Sequence, residues 1–521
     1  MNVSTFYETV RHLRAVQVWY QVWYRIKNRY FRKNRYSSSF GRGKPFGWHE
    51  YIWNRNSYVN DRFTFLNVGH RFDERIDWNI SSYGKLWTYN INYFDFLNQK
   101  DIGAQDGSRL IDDFISQYDS LLDGLEPYPT SLRIINWIKF IHRTKHSTGK
   151  IDEVIGEDVE RLSHNLEFHL LANHLLENAF ALFMASYYFE NSRLYEKARK
   201  LLTSELEEQI LKDGAHYELS VMYHQLMLYR VLDCLYLVRY NQWKNDGTDQ
   251  YLESVAMKMM GWLSNMTFSN GDFPLFNDAA RNITPSSGEL VNYGKALGLK
   301  ELETPLQDSG YRKVEVKGLE CICDVGNLQA TYQPAHTHAD TFSYVLYADQ
   351  KPLIVDTGTS TYEKNKIRHL ERSTSSHNTV TIDNANSTDV WSGFRVGRRA
   401  KVNLLEDRMD CIYASHNGYR GRGVIHKRKW SISDGALQIY DLIGEGKKGI
   451  SHIHFHHNVT LEQITEDVFQ TEECRITFSG MSKIEKANYN LVDGWNVSIS
   501  STKLKVHFKN YLEMKIEILE S

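Results

Sequence analysis

The period of the apolar residues changes once along this 521-residue chain, near residues 309–310. Before this point apolar side chains recur every three or four residues, as at Leu162 and Leu166, and short polar turns such as 212–214 separate the segments, which predicts successive α-helices. After it they alternate, as in residues 344–347 and 504–508, which predicts short β-strands. We therefore predict a helical half followed by a half built from antiparallel strands.

The predicted fold class is a multidomain α+β chain, because the chain is longer than one ordinary core supports. Helices joined by short turns form antiparallel hairpins, and an N-terminal (α/α) toroid is the natural closure for many of them, with a plain bundle as the alternative. The short strands predict a C-terminal antiparallel β-sandwich. We place an aromatic-rich helical lead-in at residues 1–100, the toroid domain at 101–310 and the sandwich at 311–521.

Charge and cysteine content narrow the class of protein. Lys and Arg number 62 against 64 Asp and Glu, so no global charge favours nucleic acid as a partner. The five cysteines have no framework spacing and do not predict a disulfide scaffold. No run approaches the roughly 20 apolar residues that span a bilayer. Residues 1–9 are polar and predict no secretory signal, which leaves cytoplasmic, periplasmic and secreted settings open. The sequence does not predict an oligomeric state.

Aromatic and basic residues are interleaved between residues 19 and 35. Trp19, Tyr20, Trp23 and Tyr24 alternate with arginines and lysines as far as Arg35. This pattern is typical of a helix that lies in a membrane interface, and also of a helix whose aromatic face packs on its own protein. We favour packing on the protein.

Groups with metal-binding or acid–base chemistry are concentrated in residues 336–378. His336 and His338 are two residues apart and face the same side of an extended segment, and Asp356 and His377 follow at the ends of predicted strands. Two imidazoles and a carboxylate are ligands that zinc accepts. The stretch therefore predicts a divalent metal site, with hydrogen-bonded sheet histidines as the alternative.

Polar residues also interrupt the apolar pattern of the helical half at two places. Asn173 and Glu177, and likewise His174 and Asn178, are four residues apart in the middle of a predicted helix, and they need hydrogen-bond partners or a cleft. One hairpin later, Tyr217 is predicted near the start of a helix and Tyr223 almost two turns further on. A tyrosine beside a histidine can donate and accept protons, whereas most helical tyrosines are simply part of the core.

Five motifs occur in a fixed order along the two halves. They are Asn-His-x-x-Glu-Asn (173–178), Tyr-Glu-x-Ser-x-x-Tyr-His (217–224), His-x-His-Ala-Asp (336–340), Val-Asp-x-Gly-Thr (355–359) and Arg-Ser-Thr-x-x-His-Asn-Thr-Val (372–380). Together they resemble the heparinase II/III-like polysaccharide lyases over about residues 80–450. The resemblance implies a toroid followed by a β-sandwich. It also implies β-elimination on a uronic-acid polysaccharide such as heparan sulfate, chondroitin or hyaluronan.

The resemblance further implies catalytic roles. Asn173, with His174 beside it, matches the residue that neutralises the substrate carboxylate. Tyr223 matches the catalytic tyrosine, with Tyr217 as the second choice, and His336 matches a catalytic histidine between the domains. In such chemistry Tyr223 serves as both base and acid if the proton and the leaving group lie on one face of the sugar; otherwise His174 or His336 is the base.

Metal and substrate sites follow from the same resemblance. His338, Asp356 and His377 match the ligands of one structural divalent ion, most often zinc, and no organic cofactor is implied. Glu177, Tyr217 and Tyr362 are expected to line the substrate site. Arginines that suit an acidic polysaccharide are Arg133, Arg368, Arg372, Arg395, Arg398 and Arg399. Two other functions stay open: a zinc hydrolase that uses the three metal ligands to activate water, and a non-catalytic glycan-binding protein of an exopolysaccharide pathway.

Overall fold

The structure is a computed structural model that describes residues 3–31 and 35–519. Its helices are α1 (Val3–Val10), α2 (Ala15–Tyr30), α3 (Lys85–Tyr93), α4 (Ala104–Gln117), α5 (Pro127–Thr144), α6 (Gly149–His164), α7 (Ala172–Tyr188), α8 (Ser192–Gln209), α9 (Val221–Asn241), α10 (Thr248–Asn265), α11 (Ser287–Ala296) and α12 (Lys366–Glu371). Short 3-10 helices cover Asp95–Asn98, Tyr118–Ser120, Thr374–Ser376 and Arg420–Arg422.

The strands follow mainly after the helical half. They are β1 (Tyr58–Val59), β2 (Arg62–Phe65), β3 (Val68–Arg71), β4 (Tyr311–Val316), β5 (Leu319–Asp324), β6 (Tyr344–Ala348), β7 (Lys351–Ile354), β8 (Val380–Thr381), β9 (Val390–Trp391), β10 (Arg395–Val396), β11 (Val402–Arg408), β12 (Cys411–His416), β13 (His426–Ser433), β14 (Ala436–Leu442), β15 (Lys448–His454), β16 (Glu462–Gln463), β17 (Val468–Gln470), β18 (Cys474–Gly494) and β19 (Val497–Ile518). The last helix of the helical half thus ends before the predicted change of period, and β4 begins just after it.

The helical half is built from hairpins, in which α7 packs on α5 and α8, and α9 packs on α10. Every residue of α7 except His174 is buried, as a helix surrounded by others requires. Trp48 and Trp87 of the lead-in are buried in the same core as Trp137 and Trp262. The lead-in therefore packs into the helical domain and shares its core.

Two antiparallel sheets form the C-terminal half. One has the order β4-β5-β6-β7, and the other runs β11-β12-β13-β14-β19-β18-β17-β16, with β15 paired to β19 and β8. Cys321 and Leu346 of the first sheet share one core with Trp430, Ile439 and Val506 of the second. The sheets therefore pack face to face as a β-sandwich.

The long β18–β19 hairpin reaches across to the helical half. At its tip, the side-chain amide of Asn67 donates to the Trp495 carbonyl over 2.9 Å, and that of Asn496 donates to the Leu66 carbonyl over 3.0 Å. The indole of Trp495 lies 4.5 Å, between ring centroids, from the ring of Tyr362. The hairpin therefore joins the two halves at the cleft described below.

Only part of the aromatic face of α2 packs on the protein as predicted. Tyr20 stacks on Phe168 and Tyr24 meets His169 edge-on, so the tyrosines pack on the protein as predicted. Trp19 and Trp23, however, are 66% and 41% exposed. The helix turns its more polar side and its tyrosines inward, and its tryptophans face solvent. No described helix has the length and apolar composition needed to cross a membrane.

Candidate active site

A cleft of about 1330 Å³ runs between the helical half and the sandwich. Asn173 and Tyr223 line it from the helical side, and His336, Tyr362 and Trp495 line it from the sheet side. The structure thus brings together the amide, the phenol and the imidazole for which the sequence predicts catalytic roles.

Asn173 and His174 lie in the first turn of α7, and not in the middle of a helix as the apolar pattern predicted. The chain turns sharply just before them, since Leu171 and Ala172 adopt left-handed φ angles of 63° and 55°. Such backbone costs about 1–3 kcal/mol for each residue, and it is commonly found at functional sites. The turn directs the N-terminus of α7 at the cleft, where the helix dipole favours negative charge.

His174 is held by a carboxylate. Its Nδ1 lies 3.1 Å from Oε1 of Glu167, whose second oxygen accepts a 3.0 Å hydrogen bond from the side-chain amide of Asn178. Burial alone would lower the pKa of His174, but the Glu167 carboxylate outweighs it and raises that pKa. A raised pKa favours an imidazolium that faces the cleft.

Tyr223 lies in the first turn of α9, close to the Ser220 hydroxyl that caps the helix. Its hydroxyl is 2.9 Å from that of Tyr362, and its ring lies 4.0 Å from the ring of His336, at an angle of 34°. Burial, and then Tyr362, raise the pKa of Tyr223 well above its usual range. The phenol is therefore protonated at neutral pH.

Tyr217, the second choice for the catalytic tyrosine and a predicted substrate contact, lies outside the cleft. It precedes α9 instead of lying in it, and its buried hydroxyl bonds that of Tyr332 over 2.8 Å. The chain reverses at Leu219, which has a φ of 57°, so the two tyrosines of the motif point to different places. The structure therefore assigns Tyr217 to packing.

Asp278, in the loop between α10 and α11, connects the two halves beneath the cleft. Its oxygens accept hydrogen bonds of 2.8 Å each from Nδ1 of His336 and Nε2 of His338, and it pairs with the guanidinium of Arg368. Burial alone would raise the pKa of Asp278, but Arg368 and the two histidines hold it well below its usual range. In the neutral tautomer that donates from Nδ1 to Asp278, the lone pair of His336 is on Nε2.

Glu218 links Asn173 to His336. Its Oε1 accepts the backbone N–H of Asn173 over 3.3 Å, while Oε2 lies 3.8 Å from Nε2 of His336. Burial raises the pKa of Glu218. Sequence reasoning missed both acids: Glu218 stands inside a motif that was recognised, whereas Asp278 lies in a loop without any pattern of its own.

Most of the predicted substrate-binding arginines are buried in the protein. Arg133 bonds Asp158 over 2.8 Å, and Arg372 donates to the Thr337 carbonyl over 2.8 Å; both are almost without exposed surface. Since neither lines the cleft, their predicted contact with substrate is wrong and their roles are structural. Arg395 does line the cleft, and it is exposed.

Of the other residues predicted to contact substrate, some line the cleft and some lie outside it. Glu177 reaches the cleft floor, where its carboxylate pairs with Arg230 over 2.7 Å. Arg398 is engaged by Asp389 over 3.0 Å and lies outside the cleft, as does Arg399. Tyr362 lines the cleft as expected.

The predicted metal ligands are close together but are not arranged around a common point. Among residues 3–31 and 35–519, no group of three or more His, Cys, Asp or Glu side chains has metal-holding geometry. Asp356 Oδ2 instead accepts from Nδ1 of His377 over 2.8 Å, and the rings of His338 and His377 lie 5.2 Å apart. Nδ1 of His338 and Nε2 of His377 are buried without a hydrogen-bond partner. These two nitrogens suit a metal ion, whereas Asp356 suits it less because His377 already occupies one of its oxygens.

Comparison with known proteins gives the family. A family model described as heparinase II/III N-terminus matches residues 133–293, and one described as heparinase II/III-like, C-terminal, matches residues 300–506. Together the two models cover more than half of the chain. The chain belongs to the heparinase II/III-like family. The resemblance carried by the five motifs is confirmed.

Relatives and solved structures agree with this family. A heparin-sulfate lyase of Bacteroides stercoris is 24% identical over 327 residues, which are 56% of this chain and 47% of that protein. The chain thus spans about half the length of this curated relative.

The crystal structure of heparinase III matches with a TM-score of 0.65 at 14% identity, over 100% of this chain and 94% of that one. The crystal structure of the heparan sulfate lyase HepC from Pedobacter heparinus matches with a TM-score of 0.57 at 14% identity, over 88% of this chain and 81% of that one. These likenesses confirm the predicted fold class of a helical toroid followed by a β-sandwich.

Proposed function

We propose that this chain is a polysaccharide lyase that cleaves a uronic-acid polysaccharide by β-elimination. The observation that supports it most is the single cleft in which Asn173, Tyr223 and His336 meet although they come from two domains. Relatives named as lyases of heparin and heparan sulfate support the same class of substrate. In this reaction the C5–H and C4–O4 bonds break, a C4=C5 double bond forms, and O4 leaves with a proton.

The substrate carboxylate is neutralised at the N-terminus of α7. The C5 proton is a poor acid while the neighbouring carboxylate keeps its full charge, so donors aimed at that group stabilise the charge that develops in the transition state. The Asn173 amide and the raised-pKa imidazole of His174 supply such donors at a helix end that itself favours anions. Glu218 holds the backbone of Asn173 in place.

Tyr223 and His336 divide the proton transfers. The raised pKa of Tyr223 keeps its phenol protonated, which suits donation to the departing O4. The Nε2 lone pair of His336, oriented by Asp278, suits removal of the C5 proton. The 4.0 Å between the centroids of the two rings supports this division, because an acid and a base that close together can reach O4 and the C5 proton of one sugar.

Exposed cations in the cleft would bind the acidic polymer. Arg55, Lys364 and Arg395 line the cleft, are exposed, and pair with no carboxylate among the described residues. Arginine grips carboxylate or sulfate through two parallel hydrogen bonds. The rings of Tyr89 and Tyr128 also line the cleft and offer apolar faces to the sugars.

The proposal includes a structural divalent ion, most simply zinc. His338 and His377 would hold it through the two nitrogens that lack partners, and Asp356 or the orphaned Oδ2 of Asp340 would complete the set. Burial lowers the pKa of His338 to about 3, so its imidazole is neutral as a ligand must be. Such an ion would support the loop that carries His336, and no step of the elimination passes through it.

A panel of uronate polymers tests the function. The full chain is incubated with heparan sulfate, chondroitin, hyaluronan and alginate, and ultraviolet absorbance of unsaturated uronate ends is recorded. We expect turnover on at least one polymer. Chain cleavage without new absorbance would instead identify a hydrolase, and tight binding without cleavage of any polymer would identify a glycan-binding protein.

A further inference from the structure

Helix α2 packs its more polar side on the protein and turns its apolar side toward solvent. Its residues Gln17, Tyr20 and Tyr24 face the chain, where the amide of Gln17 donates to the carbonyls of Leu170 and Tyr332. An ordinary surface helix buries its apolar stripe and exposes its polar one. Here the side toward solvent is apolar. It consists of Val16, Val18, Trp19, Val22, Trp23, Ile26 and Tyr30, which are all exposed.

This apolar face is continuous along the helix. At about 100° per residue, the exposed apolar positions fall within one arc of roughly 160°, and Arg25 and Arg29 lie along one edge of that arc. Both arginines are exposed, and among the described residues neither pairs with a carboxylate. Exposed apolar side chains scattered singly are normal, but a contiguous stripe marks an interaction surface.

The charge around the helix points to an anionic partner. Residues 9–49 contain ten Lys or Arg and no Asp or Glu. Carboxylates outside this run pair with Arg11, Arg14, Arg35, Arg42 and Lys44, whereas Arg25 and Arg29 of the helix pair with none among the described residues. Helix α2 itself contains no acidic residue. Contact between two copies of this face would therefore bring arginines together without a carboxylate to pair with them.

We propose that α2 binds the surface of a membrane that contains anionic lipid, lying in the plane of the headgroups. Trp19, Trp23 and Tyr30 are the ring types that favour headgroup depth, and the valines and Ile26 would reach the acyl boundary. Arg25 and Arg29 would contact lipid phosphates. An acidic polysaccharide explains the arginines but not the aliphatic stripe, because sugars stack on rings and not on valine or isoleucine.

Helix α2 also borders the cleft, so its binding to a membrane would affect where the cleft lies. Gln17 and Gln21, on the side of α2 opposite its tryptophans, line the cleft between the two halves. A helix that lies on a membrane would therefore hold the cleft close to that surface. Catalysis on a dissolved polymer does not depend on this contact, since the membrane-facing side chains lie outside the cleft.

Vesicle flotation tests the proposal with the full chain. We expect the protein to float with vesicles of phosphatidylcholine mixed with phosphatidylglycerol, less with phosphatidylcholine alone, and less as salt is added. Replacing Trp19→Ser together with Ile26→Ser should weaken binding by about tenfold or more. The matched control is Leu122→Ser, which removes a 77% exposed apolar side chain elsewhere and should change nothing.

A second pair of substitutions tests the charges without touching the apolar face. Arg25→Gln with Arg29→Gln should weaken binding to the anionic vesicles by about thirtyfold, whereas the exposed Lys300→Gln should have no effect. Absence of flotation, or flotation of both double variants equal to that of the wild type, would overturn the proposal. So would a wild-type oligomer that dissociates in the Trp19→Ser and Ile26→Ser variant, or a loss of polymer binding in it, because the face would then serve another copy or the polysaccharide.

Discussion

Nδ1 of His336 lies 2.8 Å from a carboxylate oxygen of Asp278, so an acid of the helical half orients a histidine of the sheet half. The same acid pairs with the buried guanidinium of Arg368. The two sides of the cleft are therefore joined across the domain boundary by charge, and we expect substitutions at this junction to affect both stability and activity.

Replacing Asp278→Asn should destabilise the chain by about 3–5 kcal/mol, because Arg368 would be left buried without its counter-charge. Urea denaturation followed by circular dichroism measures this. The matched control is Asp407→Asn, which breaks the more exposed pair with Arg312 and should cost about 1 kcal/mol or less. An equal loss of unfolding free energy in the two variants would show that the pair of Asp278 and Arg368 does not stabilise the chain in this way.

Replacing Tyr223→Phe should lower kcat by about 10²–10⁴-fold without loss of stability, because the ring is kept and only the proton donor is removed. Steady-state assay of unsaturated ends on the preferred polymer measures it. Tyr217→Phe is the matched control, since it removes the hydroxyl of the motif's other tyrosine outside the cleft. Comparable losses of turnover in both variants would show that Tyr223 is not the acid.

Replacing Asn173→Ala should lower kcat by about 10²–10³-fold, because the carboxylate loses a donor in the transition state. Asn458→Ala, at an exposed asparagine of the sheet half, should behave as the wild type. A variant at Asn173 that binds polymer poorly but turns it over at the normal maximal rate would assign this amide to ground-state binding only.

Removal of metal should affect stability more than turnover. We expect elemental analysis of the purified chain to find about one divalent ion, and His338→Ala to lose it together with part of the melting temperature. The exposed His457→Ala serves as the control. A His338→Ala variant that is fully stable but inactive would rule out a structural role for the ion.

The stability of the chain should fall as pH rises toward 9, in part through Glu371. Burial raises the pKa of this carboxyl from 4.5 to about 7, against the hydrogen bonds that it accepts from Ser360. Because the folded pKa is the higher one, its contribution is complete below pH 4.5 and is lost as pH rises through 7, in total about 3 kcal/mol.

Glu371→Gln keeps the acceptor for Ser360 without the charge and should flatten that part of the profile. Thermal unfolding of the two proteins at a series of pH values measures the difference. Parallel profiles for the wild type and this variant would show that Glu371 does not ionise in that range.

The change of hydrophobic period predicted the two halves well because it reflects burial on one face of a helix or on one or both faces of a strand. Local patterns failed where the chain departs from regular backbone. The left-handed turn at Leu171 ends the apparent helical repeat and moves Asn173 from the middle of a helix to its first turn. Periodicity does not report single residues with positive φ.

Contacts between distant parts of the chain were also beyond the sequence pattern. Arg133 looks like a ligand for an acidic polymer until Asp158, on another helix, is seen to neutralise it. Asp278 carries no local signal because its importance comes from three partners between 58 and 90 residues away. By contrast, Tyr223 and His336 were predicted from motifs whose residues lie at the cleft.

The strained turn before Asn173 has a consequence for how this chain can evolve. Two consecutive residues there occupy backbone conformations that glycine would adopt more readily, yet they are leucine and alanine, both buried. A glycine replacement would ease the turn and enlarge the freedom of the unfolded chain, but it would also remove core contacts that hold the N-terminus of α7 at the cleft. The turn is therefore kept rigid by the packing of its side chains. A substitution that relieved the backbone strain would also loosen the orientation of α7 toward the cleft.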